Sequence, residues 1–142
     1  MALKPISLGE IIEVILPSEK SSEDPTVFKI GVLDSIVRSK IEDISMVYRY
    51  NPDAPKDSLM ESKLDIATQE LEYVRFGLKG FKNFKDKNNK DIPLLFIKKK
   101  IGDTEYDVVS DETLKYIPRF ALKELSEIIR KENKESEAEA KN

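Results

Sequence analysis

Histidine, cysteine and tryptophan are absent from the 142 residues. With them go imidazole acid–base catalysis, Cys–His and Ser–His nucleophilic sites, disulfides, zinc fingers, iron–sulfur clusters and haem held through His or Cys. Any chemistry would have to come from Asp, Glu, Lys, Tyr or Ser held in a defined constellation. Three groupings have the right residue types. Glu42-Asp43 is a pair of carboxylates, but its spacing places it on the polar face of a helix, as surface charge. Asp103-Thr104-Glu105 with Asp107 imitates a calcium loop, yet the central glycine and the closing bidentate glutamate are out of register. Gly77-Leu78-Lys79-Gly80 has two glycines three apart; no Lys-Ser/Thr follows and no strand precedes, so it is not a phosphate loop. The expectation is a protein with no catalytic residues, no metal and no cofactor.

What stands out is how charge is distributed. Charged residues make up 36% of the chain, against a usual ~25%. The net charge is only −3, which gives no overall pull toward nucleic acid or membrane. Between residues 75 and 100, however, nine basic residues face two acids, a net of +7, so the remainder carries −10. Phe76, Phe81, Phe84 and Phe96 are interleaved with these cations. Basic and aromatic residues together can follow a phosphate backbone and stack on bases. Only one of the nine is arginine, the usual residue for bidentate phosphate or base contacts, so nucleic acid is disfavoured. A protein-contacting face fits better, formed by Arg75, Phe76, Lys79, Phe81, Lys82, Phe84, Lys98, Lys99 and Lys100. The acidic remainder makes head-to-tail self-association reasonable.

The elements that would carry this face follow from periodicity. Alternating apolar residues predict strands over 10–16 and 26–33, joined by an acidic, mobile loop that ends at Pro25. Asp34 or Ser35 caps a helix whose buried face is Val37, Ile41, Ile44 and Tyr48. The two prolines in 51–55 mark a turn. Met60, Leu64, Ala67, Leu71, Val74 and Leu78 recur at helical spacing, which predicts a long helix over 58–78 stopped by Gly80. A polar turn at 85–91 precedes a second hairpin over 92–109. Ser110 caps a short turn over 111–116, and Pro118 breaks it from a last helix over 118–131. The expected fold is α+β: a small, mainly antiparallel sheet from two hairpins packed against three or four helices, in one globular domain over 1–132. Residues 133–142, with two alanines as the only apolar side chains, are expected to form a disordered charged tail. No apolar stretch is long enough to cross a membrane, and nothing at the start resembles a signal peptide.

Two stretches carry a family resemblance: Glu72-Tyr73-Val74-Arg75-Phe76-Gly77-Leu78-Lys79-Gly80-Phe81-Lys82-Asn83-Phe84-Lys85-Asp86, and Val108-Val109-Ser110-Asp111-Glu112-Thr113-Leu114 with the residues to Pro118. Together they resemble small proteins from the tail-assembly gene cluster of tailed bacteriophages and prophages. In those, a helix ends in a Val-Arg-x-Gly-Leu-x-Gly-aromatic-x-Asn-Phe run, and a strand pair and a helix opening near Ser-Asp-Glu-Thr-Leu follow. The likeness spans most of residues 6–130. This chain departs from the group around the lysine-flanked Asn88-Asn89, and has Phe81 where tryptophan would fit equally well. The resemblance implies a non-enzymatic tail assembly chaperone or accessory protein in the host cytoplasm or virion, with other phage structural or assembly proteins as partners. A connector-like or terminator-like virion subunit is the alternative, and a nucleic-acid-binding accessory protein a further one. Within the motif, Gly77 and Gly80 would let the helix end tightly while Phe81 and Phe84 fold back on the core.

Overall fold

A computed structural model describes residues 3–49 and 58–141, with side chains described outside 44–65 and 141. The fold is α+β, with four helices and two small antiparallel sheets. β1 (Ile11–Ile15) pairs with β2 (Val27–Gly31) as the alternation predicts, with Val14 opposite Phe28 and Ile12 opposite Ile30. Phe28 and Ile30 are buried, Ile12 and Val14 pack against them, and Ile11, Glu13 and Ile15 face outward. The acidic loop is held at its start. Pro17–Glu19 forms one 3-10 turn, and the Ser18 N–H and hydroxyl both donate to the Glu124 carboxylate (3.1 and 2.7 Å).

α1 (Ser35–Arg49) is capped by Asp34, whose Oδ1 accepts the Val37 N–H at 2.8 Å. Val37 and Ile41 of its expected face are buried; the Ile44 and Tyr48 side chains lie outside the described residues, as does the expected turn at 51–55. α2 (Ser58–Gly77) packs against α1, against a last helix α4 (Arg119–Lys141) and against the second hairpin. Val74 is buried and Leu71 partly so; the Met60 and Leu64 side chains are outside the described set. Tyr73 and Phe76 are buried as well, so the apolar face is wider than the stripe read from spacing.

The end of α2 differs from expectation. The helix stops at Gly77, and β3 (Leu78–Lys82) follows without a loop, completing a three-stranded sheet in the order β1-β2-β3. Gly80 lies inside this strand and is not the helix stop. A glycine within a short, lysine-containing run weakens the strand signal, which is why the run reads as a turn. Gly77 is required for closeness: a Cβ there would lie 2.7 Å from Ile129 Cδ1 of α4. β3 also holds a bulge. Ile30 pairs with Leu78 and Lys29 with Gly80, so Lys79 has no partner in β2. That extra residue lets both Leu78 and Phe81 face inward although they are three positions apart.

The second hairpin, β4 (Phe96–Ile101) and β5 (Thr104–Val109), forms its own two-stranded sheet. Gly102, at φ 58, starts its two-residue turn. α3 (Asp111–Leu114) follows, and the break before Pro118 falls where the proline requires it. Ser110 occupies the cap position, but its side chain makes no capping bond; its carbonyl accepts the Thr113 and Leu114 N–H groups instead.

From residue 133 to Lys141 the chain is helical, contrary to the expected disordered tail. α4 continues to Lys141, and its inward stripe changes from apolar to polar. Leu125 and Ile129 are followed by Asn133, which is 2% exposed. Asn133 Oδ1 accepts the Leu33 N–H (3.0 Å), Glu137 pairs with Arg38 (2.9 Å), and the Ala140 carbonyl accepts the Lys4 N–H (3.3 Å). Specific bonds thus replace the apolar burial that a hydropathy reading looks for.

Candidate functional site

The nine residues expected to form one contacting face divide into three groups. Arg75, Phe76, Phe81 and Phe84 are structural. Arg75 sits on the last turn of α2, where its side chain is 11% exposed. It pairs with Glu72 (3.1 Å) and Asp111 (2.8 Å), and its Nη1 donates to the Val109 carbonyl at 3.4 Å. One planar guanidinium therefore joins α2, the end of β5 and the start of α3. Phe76 is 4% exposed and meets Tyr106 edge-on, with centroids 5.9 Å apart. Phe81 and Phe84 fold back as expected: they form a cluster with Phe28 at centroid distances of 5.2 to 6.3 Å. Asn83, at φ 60, makes the turn between them and donates to the Asp24 carbonyl (2.7 Å). These rings are spent on the core and are not a stacking platform.

The second group comprises lysines with internal partners. Lys82 reaches across β2 to Glu13 (3.1 Å), and Lys99 lies over the Phe76 ring at 5.6 Å with Glu72 at 3.5 Å. Lys79, freed by the bulge, donates to the Phe76 carbonyl at 3.0 Å. Partial burial holds its pKa below the usual lysine value, with the Asp107 carboxylate opposing that shift.

Lys79 borders a cleft of about 180 Å³ that sequence reasoning missed, lined also by Leu8, Asp34, Phe76, Tyr106 and Asp107. At its floor the Tyr106 hydroxyl donates to Asp34 Oδ2 (2.8 Å), while Asp34 Oδ1 caps α1. Burial raises the Tyr106 pKa, and the bond to Asp34 adds to the shift. The signal was faint: a bulge cannot be read from spacing when the strand itself is not recognised. Lysine, tyrosine and aspartate could in principle move a proton, but here the Tyr106–Asp34 bond ties β5 to the cap of α1, while Lys79 is bonded to the end of α2.

The third group lies on the second hairpin and is open. Lys98 and Lys100 project from β4 opposite Asp107 and Glu105, and Lys98 is paired with Asp107. Just before them Leu95, Phe96 and Ile97 are 47%, 43% and 48% exposed. Three consecutive exposed large apolar residues on a strand with one neighbour are not what a solvated surface needs. The charge island was legible in the sequence; this apolar run beside it read as strand core. The turn below it is tightly built, with Asp86 Oδ1 accepting the Asn88 and Lys90 N–H groups (2.9 and 3.0 Å).

Among the described residues no group of carboxylates is placed to hold a metal ion, and no helix is long and apolar enough to cross a membrane. Comparison with protein families, with curated proteins and with solved structures finds no match to this chain.

Proposed function

We propose that this protein acts by binding other proteins and not by catalysis, as an accessory or chaperone of bacteriophage tail assembly in the host cytoplasm. The observation that carries the binding role is the exposed run Leu95-Phe96-Ile97 beside Lys98 and Lys100 on the open strand β4. The tail-assembly context comes from the resemblance of residues 72–86 and 108–118. The docking surface is narrower than the nine candidate residues: β4 supplies it, Arg75 and Phe76 brace its hairpin through Val109 and Tyr106, and Phe81 and Phe84 pack on Phe28 in the other sheet. Internal pairing of Lys82 and Lys99 and burial of the phenylalanine rings favour a protein partner over nucleic acid.

Co-expression of the tagged chain with the tail tube and tape-measure proteins of the same phage tests this reading. At least one should be recovered with it, and recovery should fall about tenfold in the K98E/K100E variant, the equivalent of ~1.4 kcal/mol. No association with any tail protein would overturn the proposal. Mass spectrometry of purified virions separates this reading from the virion-subunit alternative: an assembly factor is missing from finished particles.

A further inference from the structure

Among the described residues there are two sheets and hence four terminal strands. β3 and β5 lie against each other and against α2. β1 and β4 do not: each has one strand neighbour, and among the described residues no backbone hydrogen bond reaches the outer edge of either. In β4 the direction of the free groups can be read. The Ser110 N–H donates to the Leu95 carbonyl, so Leu95, Ile97 and Lys99 turn their backbone groups toward β5. By the alternation of an antiparallel ladder, Phe96, Lys98 and Lys100 then present their N–H and C=O groups outward.

The two open edges are opposite in charge and alike in apolar exposure. β4 carries Lys98 and Lys100 after exposed Phe96; Lys98 is paired with Asp107 of β5, but that pair is solvent-exposed and weak. β1 carries Glu13, preceded by Glu10, between Ile11 (59% exposed) and Ile15 (37%); the Glu13–Lys82 pair is also solvent-exposed, and a surface pair of this kind is worth little, so Glu13 can exchange its partner at small cost. Pairing β4 with another β4 sets lysine against lysine, and β1 with β1 sets glutamate against glutamate. Both symmetric arrangements are penalised by like charge, whereas β4 against β1 brings opposite charges together over exposed apolar side chains. We infer that the occupant of the β4 edge is a second copy of this chain, joined through its β1 edge in a head-to-tail arrangement that grows into a ring or a filament. The inference rests on reading β4 as a docking edge: on the chain alone a second copy takes that edge, and a tail protein bound there displaces it.

The test is made on the purified chain alone, so it can fail while recovery of tail proteins succeeds. Light scattering of the wild type at low salt should show species heavier than the monomer that increase with concentration and dissociate as salt is raised. The K98E/K100E variant, with two acidic edges, and the E10K/E13K variant, with two basic edges, should each be monomeric. Mixed in equal amounts, they should associate again. K98P removes one outward N–H while sparing the ladder to β5, and should also be monomeric with an unchanged circular dichroism spectrum. A wild type that stays monomeric at hundreds of micromolar would overturn the inference. So would association that survives in E10K/E13K, since that outcome makes the interface symmetric.

Discussion

Arg75, a candidate contact residue, is also the side chain that joins most elements. Its type and place allow it either to satisfy loop carbonyls or to meet a partner's acid, and it is enclosed by Glu72, Asp111 and the Val109 carbonyl. Glu72 itself is 13% exposed, with Lys99 as its other cation at 3.5 Å. Removing the guanidinium leaves that carboxylate in a poor environment. Arg75→Ala should cost about 3 kcal/mol, in the range for breaking one side of a buried pair. Arg75→Lys should recover little, because an ammonium cannot span three acceptors held in one plane. Urea unfolding followed by circular dichroism checks both: the midpoint should fall while the slope stays constant. Asn133 is a parallel case. Its type says surface, and its location is set by one backbone N–H, that of Leu33, which nothing nearby in sequence foretells.

Elements were legible in proportion to how periodic they are. β1, β2, the body of α2, both strands of the second hairpin and the Pro118 break followed from apolar spacing and from proline. β3 did not, because five residues containing a glycine and two lysines carry no alternation that stands out from a turn. The final third of α4 did not, because its inward residues are Asn133, Glu137 and Ala140, joined to Leu33, Arg38 and Lys4 by polar bonds that span most of the chain. The candidate docking edge was half legible: its lysines were visible as charge, but exposure of Leu95 to Ile97 depends on β4 having nothing on its far side. The α2–α4 contact offers a test at this scale. Gly77→Ala places a methyl group against Ile129, itself fully enclosed, and should destabilise by about 1–3 kcal/mol despite the better helix propensity of alanine. Ile129→Val removes the Cδ1 atom in the closest contact, so the double variant should lose less than the sum of the two single losses.

At the scale of the whole molecule, alkaline pH should act through the tyrosines. Burial raises the pKa of Tyr73, with Arg130 opposing, and burial together with the Asp34 bond raises that of Tyr106. Each therefore holds its proton more tightly folded than unfolded. Their contribution to stability is complete below the unfolded value of about 10 and is lost as pH climbs from there through the raised folded value. Lys79, with a lowered pKa, works in the opposite sense and relieves part of this loss as it deprotonates. Chemical denaturation between pH 8 and 11 should show a fall beginning near pH 10, shallower in a Y73F/Y106F variant. A further consequence concerns time. α4 closes the core from a great distance in the chain: Ser18 meets Glu124, Leu33 meets Asn133 and Arg38 meets Glu137, separations of 106, 100 and 99 residues. At about 5–20 residues per second, the β1–β2 hairpin leaves the ribosome some 5–20 s before the helix that bonds its flanking residues. Through that interval Ser18, the Leu33 N–H and Arg38 are without the Glu124, Asn133 and Glu137 side chains that bond them in the folded chain, so these contacts wait for the last helix to be made.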